Sequence, residues 1–201
     1  MNTPATLIFD LGNVIVAHNN DLLWDRLAML CPDPDRARSQ LPALVSASTI
    51  GTGHEKVGDL HRRLVNELGM RPNPDQFLDA WVCHFSPIPG MTEILQNLAH
   101  QRPLVLLSNT NAEHWNHIRK RFPVLKLFRP TLLSHELGLV KPNNAIYELA
   151  AKQAQQAIEH CFYTDDLQPN VDAAIACGMD AVLFQGVESL RRELASRGID
   201  A

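Results

Sequence analysis

Short apolar runs that alternate with helical patterns restrict the fold of this chain more than any other feature. The runs are mainly apolar, and they cover residues 6–16, 104–108, 131–134, 161–164 and 181–184. A run without polar alternation is typical of a strand that is covered on both faces, as in a parallel sheet. Helical patterns separate or follow the later runs, at residues 91–101, 111–121, 143–153, 170–177 and 187–196. This alternation predicts an α/β fold with a doubly wound parallel sheet.

Residues 18–86 do not follow this alternation. They contain no convincing strand but four helical patterns, which cover residues 20–31, 33–47, 54–68 and 74–85. Leucines recur at helical spacing in the first pattern, as Leu22, Leu23, Leu27 and Leu30. We therefore expect a core domain made of residues 1–17 and 87–201, into which residues 18–86 are inserted as an all-helical subdomain.

Composition and charge argue against several classes of partner. A formal net charge of -4 over 201 residues gives none of the basic surface that nucleic-acid-binding proteins carry. The chain also lacks a run of roughly 18 apolar residues for a membrane span and the pattern of a signal peptide. The widely spaced cysteines are Cys31, Cys83, Cys161 and Cys177. They are typical of reduced thiols, so we expect a cytoplasmic protein whose partner is a small molecule and whose oligomeric state stays open.

Polar residues stand at the carboxyl ends of predicted strands or just before helices, where open α/β sheets bind ligands. In chain order they are Asp10, Ser108-Asn109, Lys141 and Asp165-Asp166. Asp10 follows a buried strand, and an aspartate in this place is a candidate covalent nucleophile or metal ligand. Each residue alone also has an ordinary interpretation, as a helix cap, a solvated lysine or a turn pair. Their combination in one chain order is the stronger signal.

Four short segments carry a resemblance to a known family. They are Phe9-Asp10-Leu11-Gly12-Asn13-Val14, Leu107-Ser108-Asn109-Thr110-Asn111, Gly138-Leu139-Val140-Lys141-Pro142 and Tyr163-Thr164-Asp165-Asp166. In this order, with a helical insert between the first two, they resemble the haloacid dehalogenase superfamily, which has a Rossmann-like core, here with a helical cap of the first (C1) type. The first two segments are most similar to the bacterial α-D-glucose-1-phosphate phosphatase subgroup.

The resemblance implies a phosphatase of small phosphorylated metabolites, with a sugar phosphate such as α-D-glucose 1-phosphate as the expected substrate. Asp10 would attack phosphorus and form an aspartyl-phosphate. Lys141 would supply a fixed positive charge to the nucleophile and the phosphate. Ser108 and Asn109 would hold phosphoryl oxygens, through a hydroxyl and a backbone N–H group.

The same resemblance implies a Mg²⁺ cofactor. This ion takes a few hard oxygen ligands from protein and keeps several waters. The carboxylates of Asp10 and Asp166 and the backbone carbonyl of Gly12 would supply the protein oxygens. Asp165 would either support this group from behind or serve as an alternative ligand. Asn170 would cap the next helix and hydrogen-bond the loop of the site.

One position departs from the family pattern. Phosphatases of this family usually carry an aspartate two residues after the nucleophile, where it protonates the leaving group and then activates water. This chain has Gly12 there, and general acid–base catalysis typically contributes about 10²–10⁴-fold in rate. We therefore expect substrates with good leaving groups, such as a sugar 1-phosphate. His18 is a candidate replacement for the acid, or else a histidine at a solvent-exposed hinge.

Two other functions stay open. A 2-haloacid dehalogenase has the same fold and needs neither the metal nor a second aspartate, although Asp165 and Asp166 would repel Asp10 in the absence of a cation. A catalytically weak relative that binds a phosphometabolite or a protein partner would also tolerate Gly12. In the helical insert, Trp24 and Trp81 are expected either to line the substrate cleft or to belong to the core of the subdomain.

Overall fold

A five-stranded parallel sheet forms the centre of the protein. The computed structural model describes residues 3–201, so the first two residues of the predicted core domain lie outside the described chain. The strands of this part are β1 (Thr6–Phe9), β2 (Val16–His18), β3 (Phe85–Pro87), β4 (Leu104–Ser108), β5 (Phe128–Leu133), β6 (Cys161–Asp165) and β7 (Asp180–Leu183). The parallel sheet has the order β5-β4-β1-β6-β7. Strands β2 and β3 form a separate antiparallel ribbon.

The helices form two groups. Between β2 and β3 lie α1 (Asn20–Ala28), α2 (Pro34–Ser46), α3 (Val57–Leu68) and α4 (Pro74–Val82). After β3 come α5 (Met91–Ala99), α6 (Ala112–Arg121), α7 (Ser134–Leu137), α8 (Asn144–Gln153), α9 (Gln168–Ala176) and α10 (Val187–Ala195). Short 3₁₀ turns cover Ile50–Thr52, Pro123–Leu127 and Ile158–His160. The predicted α/β fold with an inserted group of helices is thereby confirmed.

Helices cover both faces of the sheet, because side chains along a strand alternate in direction. On one face Leu7 and Phe9 of β1 pack with apolar residues of α5, α6 and α10. On the other face Ile8 packs with apolar residues of α8 and α9. Strand β1 lies between β4 and β6. Asp10, which follows β1, therefore lies at the middle of the carboxyl edge of the sheet.

The inserted helices have an apolar core of their own. Leu27 of α1, Leu64 of α3 and Trp81 of α4 are buried together in it. Asn19 and Asp33 begin α1 and α2, and each side chain accepts a hydrogen bond from a backbone N–H of the first turn. Such caps satisfy N–H groups that have no partner within the helix. The insert therefore has both the local signals and the buried contacts of an independent helical layer.

The first apolar run is not a single strand, which corrects the expectation for residues 6–16. Strand β1 ends at Phe9, and the chain turns through Asn13, whose φ of 54° is left-handed, before β2 begins. Strand β2 pairs with β3, so that His18 lies opposite Phe85. The helical patterns of residues 18–86 did not predict this ribbon, since strands of three residues are too short to show a periodic signal.

Two other boundaries also differ from the expectations. The helix predicted over residues 74–85 ends at Val82, because its last residues enter the β2–β3 ribbon. The short strand predicted over residues 131–134 is longer and begins at Phe128. Pro130 lies within that strand, and β5 is an edge strand, where a missing N–H donor is tolerated.

Residues 51–53 of the insert contact α7 of the core, at a place separate from the β2–β3 ribbon. The Ser134 hydroxyl donates to the carbonyl oxygen of Gly51 at 2.6 Å and accepts from the Thr110 N–H at 2.9 Å. Gly53 has a φ of 75°, and a Cβ built on it would lie 2.1 Å from the carbonyl oxygen of His135. The backbones of the insert and of α7 are thus in direct contact, and the insert is held over the carboxyl edge of the sheet.

The described residues also bear on thiols and membranes. All four cysteines lie within residues 3–201 and are unpaired there, with Cys31 and Cys161 buried. In the same part of the chain, no helix combines the length and the apolar character that crossing a membrane requires.

We expect Gly53→Ala to destabilise the protein more than Gly138→Ala. Both glycines have a left-handed φ, 75° and 67°, so alanine costs roughly 1–2 kcal/mol of backbone strain at either position. Only at Gly53 would the new Cβ collide with backbone, because nothing lies within 4 Å of a Cβ built on Gly138. Urea unfolding of the two variants measures the difference. Equal losses of stability would contradict a close contact between Gly53 and His135.

Candidate active site

A cavity of about 850 Å³ lies between the carboxyl edge of the sheet and the inserted helices. All the residues that the sequence predicted for the site line it, namely Asp10, Gly12, Ser108, Asn109, Lys141, Asp165 and Asp166. The insert contributes apolar side chains, among them Leu23, Trp24, Val45 and Ile50. A volume of this size is typical of sites that enclose small molecules.

Lys141 is buried between two carboxylates. Its Nζ donates to Oδ1 of Asp10 and to Oδ2 of Asp165, at 2.6 Å in each case. Lys141 is 5% exposed, Asp10 7% and Asp165 0%. Burial lowers the pKa of Lys141, but the two carboxylates more than offset this and leave the pKa raised. The lysine is therefore a charged group at neutral pH, fixed beside the candidate nucleophile.

The side chain of Asn109 fixes the backbone of Lys141. Its Oδ1 accepts from the Lys141 N–H at 2.8 Å, and its Nδ2 donates to the Lys141 carbonyl oxygen at 3.0 Å. The amide is thus engaged at both ends, which is compatible with the predicted substrate contact through the backbone N–H of Asn109. Ser108 is buried at the end of β4 and lines the cavity. Residues 108 and 109 therefore connect the lysine to the end of β4.

Asp165 is surrounded by hydrogen-bond donors. Besides Lys141, its carboxylate accepts from the Tyr163 hydroxyl, from Nδ2 of Asn170 at 3.0 Å and from the Leu167 N–H at 2.9 Å. Burial raises the pKa of Asp165, but Lys141 and these hydrogen bonds lower it overall. Asp165 is thus an ionised partner for Lys141. This arrangement fits the supporting role predicted for Asp165 better than direct metal ligation.

Asp10 has a less favourable environment for its charge. Burial raises its pKa from 3.8 to about 6, in spite of the opposing effect of Lys141, and the negative charge of Asp165 raises it further. One lysine therefore does not fully compensate two buried carboxylates. The floor of the cavity would gain from an additional positive charge.

Asp166 completes a group of three carboxylates. Oxygen atoms of Asp10, Asp165 and Asp166 all lie within 4.8 Å of one another. Oδ2 of Asp166 accepts from Nδ2 of Asn13 at 3.1 Å, and Gly12 lines the same part of the cavity. Carboxylate and carbonyl oxygens in such a group are the ligands that Mg²⁺ prefers.

The residues considered for proton donation and stacking have different surroundings. His18 is half-buried in the wall of the cavity, beside Gly12, so the interpretation as a solvent-exposed hinge is wrong. Trp24 is half-buried and lines the cavity. Trp81 is buried and stacks on Phe77 and on His114 of α6. Trp81 also lines the cavity, where it belongs to the contact between the insert and the core.

Two histidines on the same wall, the buried His84 and the half-buried His114, did not stand out in the sequence. Burial lowers the pKa of His84 to about 4 and that of His114 to about 3. Both are neutral at pH 7. His114 packs on Trp81 and Phe85, and His84 packs on His114 and Phe85. They therefore extend the uncharged wall of the cavity away from the carboxylates.

The sequence did not predict the roles of Tyr163 and Asn13, and it predicted only part of the role of Asn170. Tyr163 precedes Asp165 by two positions on β6, and this same-face spacing was an available signal. Asn13 left none, because its contacts depend on the turn after β1. Asn170 was expected to cap α9, but the cap position is Leu167. The predicted contact of Asn170 with the loop of the site is confirmed by its hydrogen bonds to Asp165.

We expect Asp10→Asn to be more stable than the wild type at pH 8 in the presence of a chelator. The pKa of Asp10 is raised from 3.8 to about 6, so its contribution to stability is complete below pH 3.8 and is lost as the pH rises through 6. Asparagine avoids this loss, which amounts to about 1–3 kcal/mol at roughly 1.4 kcal/mol per pKa unit. Unfolding at a series of pH values measures the difference. A variant that is less stable than the wild type at pH 8 would contradict it.

Known proteins resemble this chain in sequence and in fold. Residues 5–178 match the family described as haloacid dehalogenase-like hydrolase. Flavin mononucleotide hydrolase 1 of Arabidopsis thaliana, a chloroplast protein, is 30% identical over 118 residues. That match covers 58% of this chain and 47% of the relative. The matched part thus spans about half the length of the curated relative.

Solved structures share the fold at lower sequence identity. A HAD family enzyme from Bacteroides thetaiotaomicron, in complex with magnesium and inorganic phosphate, has a TM-score of 0.81 at 22% identity and covers 91% of this chain and 95% of its own. A 2-haloacid dehalogenase from Pseudomonas syringae pv. Tomato has a TM-score of 0.66 at 17% identity, with 97% and 99% covered. Because the family match extends over most of its length, the chain belongs to the haloacid dehalogenase-like hydrolases.

Proposed function

We propose that this hydrolase is a Mg²⁺-dependent phosphatase that acts on a small phosphorylated metabolite through an aspartyl-phosphate. The observation that carries the proposal is the buried ion pair of Asp10 with Lys141 at the floor of the cavity, next to the carboxylate of Asp166. Phosphoryl transfer needs an aligned nucleophile and positive charge around the transferred oxygens. Asp10 supplies the nucleophile, and Lys141 supplies part of the positive charge.

The proposed covalent step begins with the carboxylate of Asp10. One of its oxygens forms a bond to phosphorus while the bond from phosphorus to the ester oxygen breaks, and the electron pair leaves with that oxygen. Lys141 holds the carboxylate in one orientation through Oδ1, and Ser108 offers a hydroxyl to the phosphoryl oxygens. Water then attacks phosphorus, which restores the carboxylate and releases inorganic phosphate.

The proposed ligands of Mg²⁺ are the carboxylates of Asp10 and Asp166 and the carbonyl oxygen of Gly12. The raised pKa of Asp10, about 6 in spite of Lys141, indicates a shortage of positive charge at the cavity floor. When bound, the ion would supply charge that draws the phosphoryl oxygens toward the nucleophile. Asp165 is committed to its four donors, so we assign it to Lys141. The fold shared with an enzyme crystallised with magnesium and phosphate supports this assignment.

We propose that residues 18–86 act as a cap that selects the substrate, over a core of residues 1–17 and 87–201. A sugar phosphate such as α-D-glucose 1-phosphate is the first candidate, because Gly12 favours a leaving group that departs readily. Flavin mononucleotide is the second candidate, since the apolar wall that contains Trp24 suits a flavin ring and one relative is a flavin mononucleotide hydrolase.

We also propose a cytoplasmic location for the protein, which the unpaired cysteines support.

The 2-haloacid dehalogenase alternative has weaker support. A dehalogenase of similar fold shows only that the fold accommodates that chemistry. Three carboxylates with oxygens within 4.8 Å of one another favour a reaction that brings a cation to the site. Without a cation, Asp166 would repel the carboxylate of Asp10, so a metal-free reaction fits this site less well.

We expect release of inorganic phosphate from a panel of phosphomonoesters to require both Mg²⁺ and Asp10. Excess chelator should stop turnover, and added Mg²⁺ should restore it. Asp10→Asn keeps the shape but lacks the nucleophile, so turnover should fall by more than roughly 10³-fold. Asp79→Asn is the matched control, since Asp79 is exposed on α4. Turnover of 2-haloacids in chelator would instead support a dehalogenase, and an active Asp10→Asn protein would exclude the covalent step.

We also expect kcat/KM with Mg²⁺ to be higher for glucose 1-phosphate than for glucose 6-phosphate. The two substrates have the same size and charge, but the anomeric oxygen of the first departs more readily than the primary alcohol of the second. Without an acid at position 12, this difference should appear in the rate, by about 10-fold or more on the scale of acid–base effects. Equal values for both esters would mean that another group protonates the leaving oxygen.

A further inference from the structure

The ring of His18 lies in tight contact with the space that a side chain at position 12 would need, so that a Cβ there would require the ring to move by a few tenths of an ångström. A Cβ built on Gly12 would be 3.0 Å from Cδ2 and 3.2 Å from Nε2 of His18, and 3.9 Å from Oδ2 of Asp10. A side chain at position 12 would therefore start between the nucleophile and this ring. The absence of a side chain at Gly12 thus leaves the space that the ring of His18 occupies.

Asn13 holds the ring of His18 in this place. Its Oδ1 accepts from the backbone N–H of His18 at 3.1 Å, while its Nδ2 lies 3.1 Å from Nε2 of His18 and 3.1 Å from Oδ2 of Asp166. The left-handed φ of Asn13, 54°, is one that asparagine adopts more readily than most residues. Pairing with Phe85 fixes the backbone of His18. The ring therefore has a defined position, linked to Asp166 through one amide.

The same hydrogen bonds determine where the ring of His18 carries its hydrogen. Because Oδ1 of Asn13 accepts from a backbone N–H and Asp166 accepts from Nδ2, the amide nitrogen is the atom that faces Nε2. An amide nitrogen only donates, so Nε2 is the acceptor and the hydrogen is on Nδ1. The ring nitrogen nearer to position 12 therefore has no proton to give to a departing oxygen.

We propose that His18 is a specificity-determining residue: its ring takes up the space that an acid at position 12 would need, and it positions Asp166 through Asn13, with Nε2 as a hydrogen-bond acceptor and not as the proton donor. The inference rests on the proposed phosphatase function and deepens it by naming the substrate class. This class consists of phosphates whose leaving oxygen departs unprotonated, namely hemiacetal, aryl and acyl phosphates. It ranks flavin mononucleotide, the phosphate ester of a primary alcohol, below a sugar 1-phosphate.

A cycle of four proteins tests the inference, namely the wild type, Gly12→Asp, His18→Ala and the double variant. For each, kcat/KM is measured with Mg²⁺ over a series of aryl phosphates whose phenols differ in acidity. The thermal midpoint and the dissociation constant of Mg²⁺ are measured in parallel. If Gly12→Asp does not fold, Gly12→Ala with and without His18→Ala takes its place in the stability comparison, because the clash begins at Cβ.

We expect Gly12→Asp alone to lower the thermal midpoint and His18→Ala to relieve that loss in the double variant. With the ring removed, the new aspartate has room to serve as the acid. The double variant should then accelerate the esters with the poorest leaving groups by up to about 10²-fold and depend less steeply on phenol acidity. His18→Ala alone should weaken Mg²⁺ binding and slow all esters by a common factor, with the steepness of the wild type.

Three results would overturn the inference. A selective loss on poor leaving groups in His18→Ala would make His18 the proton donor. A gain in Gly12→Asp alone as large as in the double variant would show that the ring excludes nothing. A folded double variant without any gain would show that the space is not one from which an acid can act. A different result would contradict the phosphatase function itself, namely a wild type that hydrolyses neither aryl phosphates nor sugar 1-phosphates. In that case the thermal midpoints of the four proteins still show whether the side chains at positions 12 and 18 compete for space.

Discussion

The interaction on which the site depends is the contact of the Lys141 ammonium with two buried carboxylates. Charges removed from water are costly unless each has partners, and here the partners are shared unequally. The carboxylate of Asp165 accepts hydrogen bonds from four groups, one of which is the Lys141 ammonium. The side-chain donor to the carboxylate of Asp10 is the same ammonium. The pKa of Asp165 is lowered as a result, and that of Asp10 is raised to about 6. Unequal environments of this kind give two carboxylates different chemical roles.

The sheet and the insert place this charge cluster at the bottom of the cavity between them. Parallel strands deliver Asp10, Ser108 and Asp165 to one edge, because β1 lies between β4 and β6. The insert contacts the core through the β2–β3 ribbon, the hydrogen bond of Ser134 to Gly51 and the stacking of Trp81 on His114. The low polarity of the apolar wall strengthens the charge interactions that lie against it. The apolar wall of the cavity and its charge cluster thus come from different parts of the fold.

The turn after β1 connects these two parts. Asn13 lies between Asp166 of the core and His18 at the entrance to the insert, and it bonds to both. A shift of the backbone at His18, where the insert begins, would therefore move Asn13 and change its hydrogen bond to Asp166. Gly12 belongs to the same turn, where its lack of a side chain leaves room for the ring of His18.

Hydrophobic pattern and chain order were enough to predict the α/β class, the helical insert and the polar residues Asp10, Ser108, Lys141 and Asp165 at one edge of the sheet, but not the rest of the cavity wall. These features are local or follow from topology, because apolar runs specify buried strands and parallel strands end at one edge. The pattern was misleading where contacts are distant in sequence. The run of residues 6–16 is divided because Val16–His18 finds a partner in Phe85–Pro87.

Only the tertiary structure decided how the site residues differ from one another. Asp10, Asp165 and Asp166 are the same residue type, and no local pattern distinguishes a carboxylate with many donors from one with few. The ring of His18 beside Gly12 is likewise set by pairing between strands about 70 residues apart in sequence, a contact whose residues carry no sequence period. The sequence by itself determined which chemical groups meet at the edge of the sheet. Packing and hydrogen bonding determined their charge states and the space between them, because burial and partner number are properties of the folded chain alone.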